Sequence, residues 1–184
     1  MKQSIRCFIL IAAVMLTLRT IALAQNPPVE GTPVPTAPKP DFGAVQYLIG
    51  TWNCSDLSSR RPGPFQITTT YAMDPTGYWL IKTEKIHKAS WIPQEFTNES
   101  RITYDNVAKR WVRVMTGDNG AYAVSTSPDR TAFTYVIQSE AADIASYAPE
   151  VYTKVSDTKR TMKTSFTEKS GRVVNVTETC TKTS

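Results

Sequence analysis

Few residues in this chain have types and spacing suited to bond-making chemistry. His87 is the single histidine, so a Ser or Cys nucleophile would have to use it as base, and nothing in the sequence marks such a partner. Glu95 with Glu99, and Asp74 near Glu84, are acid pairs of the kind found on any exposed strand face. There is no Gly-x-Ser-x-Gly elbow, no His-Glu-x-x-His, no glycine-rich phosphate loop and no Cys/His cluster at metal-ligand spacing. The expectation is a protein that binds rather than catalyses, with no catalytic residue, no metal site and no cofactor. Arg113 is the most suggestive polar candidate. A guanidinium inside a core needs an anionic partner, such as Glu178 or a ligand carboxylate. Its neighbours Val112 and Val114 suit a core face equally well, and that phase, with Arg113 in water, is slightly favoured.

The cysteines carry more information. Residues 1–24 read as a secretory signal: Lys2 and Arg6 form a basic start, Cys7 to Leu18 is an apolar run too short to span a bilayer, and Ala22-Leu23-Ala24 is a cleavage site. The expected protein is extracytoplasmic, periplasmic or secreted, with no membrane span after cleavage. Cys7 would leave with the signal. Cys54 and Cys180 would remain in an oxidising compartment and read as a disulfide, the alternative being two free buried thiols.

Charge argues against one class of partner. The net charge is +5, but removing Lys2, Arg6 and Arg19 from the 21 basic residues leaves 18 against 16 acids. Those 18 are scattered, with no basic stripe interleaved with aromatics, so nucleic acid is not expected as a partner. Nothing in the sequence points to a particular protein partner.

These residues must be positioned by strands. Residues 25–40 hold six of the twelve prolines and read as an extended, disordered linker. Asp41 can cap a short helix through about Leu48, stopped by Gly50. From Thr51 the apolar period becomes two. Strands are expected over 50–56, 65–73, 78–88, 95–104, 109–116, 121–127, 131–138, 150–156, 161–169 and 172–182. Asp74-Pro75-Thr76-Gly77, Asp118-Asn119-Gly120 and Ser170-Gly171 are among the turns between them, and such short links force antiparallel neighbours. Residues 139–147 read as a helical turn or a longer loop. The fold class is all-β: an up-and-down antiparallel barrel of about ten strands over residues 41–184, preceded by a short helix. Closure removes the two open edges of such a meander. If Cys54 faces Cys180 in an antiparallel pair, Trp52 faces Lys182, and the ammonium can lie over the indole.

Gly50-x-Trp52 after a short helix resembles the first motif of the lipocalins and the wider calycin group, as does a Trp paired with a basic residue near the chain end. Tyr47-Leu48-Ile49-Gly50-Thr51-Trp52-Asn53-Cys54 with Cys180-x-Lys182 resembles a group of small exported bacterial calycin-like domains of unknown function. The heme-barrel family called nitrobindin shares the Leu-x-Gly-x-Trp opening. The resemblance implies an interior cavity for a small hydrophobic or amphipathic molecule. Its candidate lining is Trp52, Tyr71, Trp79 and Phe96, with Tyr104, Arg113, Phe133 and Tyr135. A structural or protein-interaction domain with a filled barrel is the alternative. Heme binding is a weaker one: nitrobindin-type proteins take their axial histidine late in the chain, and no histidine follows His87. Thiol titration of the denatured, unreduced mature protein checks the cysteine pairing: no free thiol is expected, and two would refute it.

Overall fold

The computed structural model describes residues 37–128, 133–137 and 144–184. The expected signal segment and most of the proline-rich linker lie outside them, as does the stretch 139–143. A 3-10 helix over Gly43–Leu48 leads into eleven strands among the described residues: β1 (Gly50–Ser58), β2 (Phe65–Met73), β3 (Leu80–Ile86), β4 (Phe96–Asp105), β5 (Arg110–Gly117), β6 (Tyr122–Ser127), β7 (Thr134–Ile137), β8 (Ile144–Tyr147), β9 (Glu150–Ser156), β10 (Lys159–Glu168) and β11 (Val173–Lys182). The segment expected to be loop or helical turn therefore contains a short strand, β8.

Every pairing is antiparallel. The ladder runs from β1 through β7 in chain order, then to β9, β10 and β11. β11 returns to β1, so ten strands close a barrel. β8 pairs with β10 at Phe166–Glu168, beyond the stretch that β9 occupies. The closing register is the one deduced from the cysteines: Cys54 faces Cys180 and Trp52 faces Lys182. A Cys54–Cys180 disulfide spans 126 residues of chain across that seam.

One end of the barrel is plugged. Val45 and Leu48 of the 3-10 helix are buried in the core beside Trp52. The Trp52 indole N–H donates to the Leu48 carbonyl at 2.7 Å, which satisfies a polar atom that is fully buried. Phe42 stands 5.6 Å from Trp111, which meets Tyr104 and Phe133 edge-on. Lys182 lies 5.6 Å over the Trp52 ring and donates to the Tyr47 carbonyl at 3.0 Å. Asp41 accepts from the Gly43 N–H, but the residue at the helix N-cap is Phe42, with no side-chain capping bond, one place beyond the cap expected from sequence.

Gly50 is where the chain turns from helix into β1, at a φ of 122°, and a Cβ there would meet the Ser184 carbonyl oxygen at 2.0 Å. The close approach lets Thr51 N–H donate to Ser184 at 3.0 Å. Gly50→Ala is expected to lower stability by about 1–3 kcal/mol, from backbone strain and displacement of the C-terminal strand end. Urea denaturation followed by tryptophan fluorescence checks it.

Candidate functional site

The strand phase decides what enters the barrel. On β2 the inward residues are Ile67, Thr69 and Tyr71, as the alternation suggests. On β3 the expected phase is reversed. Leu80, Lys82 and Ile86 are buried and Glu84 is nearly so, while Trp79 lies outward on a groove formed with Ala37, Pro38 and Pro40. Trp79, named as candidate lining, is therefore not part of the interior wall. The structure instead neutralises two charges internally: Lys82 Nζ and Glu84 Oε1 are 2.6 Å apart. On β5, Trp111 and Arg113 face inward, so the phase that left Arg113 in water is also wrong.

Among the described residues, three ion pairs meet in the interior. Lys82–Glu84 is the first. Arg113 Nη2 lies 2.8 Å from Glu150, the side-chain partner that the sequence did not suggest. Arg113 also donates to the Ser125 hydroxyl at 3.0 Å and the Tyr152 hydroxyl at 3.3 Å, and lies 4.3 Å over the Tyr135 ring. Arg160 is fully buried, pairs with Glu178 at 2.6 Å, and stands within 5.7 Å of the Trp52, Tyr71 and Tyr152 rings. Arg160, Lys82, Glu84, Glu150 and Tyr152 were missed from sequence. One signal was present. Cys54 and Cys180 face inward, so Asp56 and Glu178, each two residues away on the same strand, must share that face.

The charges hold one another in their ionised forms. Burial works against the Lys82 ammonium, yet Glu84 beside it keeps it protonated well above the usual lysine range. Burial likewise opposes the Glu84 carboxylate, and Lys82 pulls it below the usual value. Burial works against the charge of Arg113 and Arg160, while their acidic and phenolic neighbours raise both. Tyr135 and Tyr152 are raised by burial and stay neutral. Asp56 is the exception. Burial, and then the carboxylates of Glu178 and Glu84, push it up to about 7, against the opposing pull of Lys82.

At the end away from the helical plug, these groups surround a partly open cavity of about 220 Å³. Asp56, Lys82, Glu84, Arg113, Glu150 and Glu178 contribute polar wall, with Asn98 and Tyr152. The apolar wall is Phe65, Ile67, Ile86, Phe96, Met115 and Met162. Phe65 is in turn packed edge-on against Trp91 at 5.0 Å, which lies beneath the Arg61 guanidinium at 4.5 Å.

Of the candidates named from sequence, Phe96 and Arg113 line this cavity. Trp52, Tyr71, Phe133 and Tyr135 are inside the barrel but fill its packed part, and Tyr104 is buried against Trp111. His87 is not in the cavity wall: its ring nitrogens meet the Thr68 hydroxyl at 2.8 Å and Glu95 at 3.0 Å. Cys54, Glu178 and Cys180 also cluster closely enough to hold a metal, but both sulfurs are in the disulfide and neither is a free thiolate.

No family model matches the chain, and no curated protein matches it. Solved structures do. A de novo designed fluorescence-activating β-barrel is 16% identical with a TM-score of 0.43, covering 76% of this chain and 97% of its own. A barrel bound to DFHBI is 13% identical at a TM-score of 0.42, with the same coverage. A DUF3598-family protein of unknown function from Nostoc punctiforme is 16% identical at a TM-score of 0.45 and covers 84% of this chain and 53% of its own. They are distant neighbours in fold.

Two outcomes follow from the interior charges. Glu178→Leu alone should cost about 3–5 kcal/mol by stranding Arg160, while adding Arg160→Met should recover much of the loss; a double-mutant cycle in urea measures both. For Asp56 the folded carboxyl binds its proton more tightly than the unfolded one. Stability is therefore greatest at low pH in this respect and falls as pH rises from about 4 towards about 7 and just beyond. Asp56→Asn should remove that slope and stabilise the protein at about pH 8 by on the order of 2 kcal/mol, less than the full shift because the group is not fully enclosed.

Proposed function

We propose that the chain is an exported calycin-like binding barrel that holds a small amphipathic molecule in the cavity opposite its plug. The observation that carries this function is the cavity's mixed wall, in which apolar side chains are interleaved with a network of paired charges. Ligand sites of this kind combine apolar enclosure with a few fixed polar groups. The volume of about 220 Å³ falls below the usual drug-sized range, so the occupant is compact rather than a long acyl chain. Binding rather than turnover suits a site whose cations are engaged in ion pairs. The disulfide supports an extracytoplasmic location, since such bonds persist in oxidising compartments. The closure by Gly50-x-Trp52 with Lys182 of the C-terminal strand over the indole supports kinship with the calycins.

Native mass spectrometry of the protein from its own host, with thermal shift against small amines, alcohols and carboxylates, tests the function. A bound mass, or saturable stabilisation reaching about 2.7 kcal/mol at a hundredfold excess over Kd, is expected. Met115→Trp should fill the cavity and abolish the response while the fold persists. No bound mass and no stabilisation by any of these classes would refute it.

A further inference from the structure

Among the described residues, three cations and four acids share the barrel interior: Lys82, Arg113 and Arg160 against Asp56, Glu84, Glu150 and Glu178. Each cation is engaged. Lys82 holds Glu84, Arg113 holds Glu150, and Arg160 holds Glu178, all within 2.8 Å. Asp56 is the acid left over. Its Oδ1 is a buried atom with no hydrogen-bond partner among the described residues, and the same is true of Asn98 Oδ1. Both residues line the cavity. A buried acceptor left unpaired costs about 1–3 kcal/mol. Asp56 is thus an acid in the cavity wall with no cation of its own, among side chains that are partly apolar.

Resting on the binding function above, we propose that the occupant is a small organic cation: a protonated amine on a compact apolar body, with its ammonium against the Asp56 carboxyl. The apolar body lies against Phe65, Phe96 and Met115. A carboxylate or phosphate head is disfavoured, because it would meet four acids and three cations that are already paired. The groups facing Asp56 make its occupancy depend on pH. Glu178 stands directly opposite it on β11, with Arg160 of β10 paired to Glu178; Lys82 and Glu84 come from β3; β2 offers Phe65 and Ile67. With the carboxyl's own value raised to about 7, an amine binds without displacing a proton only above neutrality.

Calorimetry with three probes of similar body tests the proposal: 2-phenylethylamine, 2-phenylethanol and 3-phenylpropanoate. At about pH 8.5 the amine should bind roughly tenfold more tightly than the alcohol, the ratio of one charge-assisted hydrogen bond, and the carboxylate more weakly than either. The amine-to-alcohol ratio should fall towards one at about pH 5.5, and in Asp56→Asn at either pH. Tighter binding of the carboxylate would overturn the proposal, as would an amine preference that survives both acidification and Asp56→Asn. Alcohol binding with no amine preference would overturn it while leaving the binding function intact; no binding by any probe would overturn it too, and with no bound mass in native mass spectrometry the binding function as well. The wild-type comparison between the two pH values carries the test even if the variant folds poorly.

Discussion

The β1–β11 seam is the constraint on which the rest depends. A meander of antiparallel strands has two unpaired edges, and only their meeting turns a sheet into an interior. Here the edges meet in a ladder that runs from Trp52–Lys182 to Ser58–Val176, with a disulfide inside it. The same ladder brings Asp56 opposite Glu178, and so brings two acids into one enclosed space. Closure also gives the 3-10 helix an end to plug, through the Trp52 indole bond to Leu48.

The enclosed space has two characters. Near the plug it is a packed aromatic core, with Trp111, Phe133, Tyr135 and Tyr152 in successive edge-on and stacked contacts. Towards the other end it holds charged groups that meet in ion pairs around an open space. Desolvating such pairs costs about as much as their attraction returns, so they are weak evidence for stability. Their arrangement has a different consequence. Each carboxylate is fixed by a cation or left facing the cavity, and the pattern of what remains unpaired defines what chemistry the space can accept. The paired groups are also braced: Arg113 is held by Ser125, Tyr152, Glu150 and the Tyr135 face together.

Legibility from sequence followed the physics of each strand. β2 and β11 alternate between residues that differ strongly in polarity or are pinned by a cysteine, and their inward faces are the expected ones. β3 and β5 do not. In Trp79-Leu80-Ile81-Lys82-Thr83-Glu84, apolar residues occur in both phases, and excluding charges from the core selects the wrong one. In Trp111-Val112-Arg113-Val114, both phases are again apolar, and only the waiting Glu150, Ser125 and Tyr135 make the buried guanidinium tolerable. β8 is four residues long and depends on the free stretch of β10 beyond β9, which no local pattern announces.

Amino-acid order by itself determined most of the strands, the turns, the antiparallel order and, through two cysteines, the closing register. These are local or parity properties, set by side-chain alternation and by one covalent bond. Tertiary structure alone decided which charges are inside. A buried ion is acceptable only when its partner arrives from another strand, as Glu178 does for Arg160 and Glu150 for Arg113. That meeting depends on barrel geometry rather than on sequence neighbours. The cavity and its unpaired Asp56 and Asn98 oxygens follow from it.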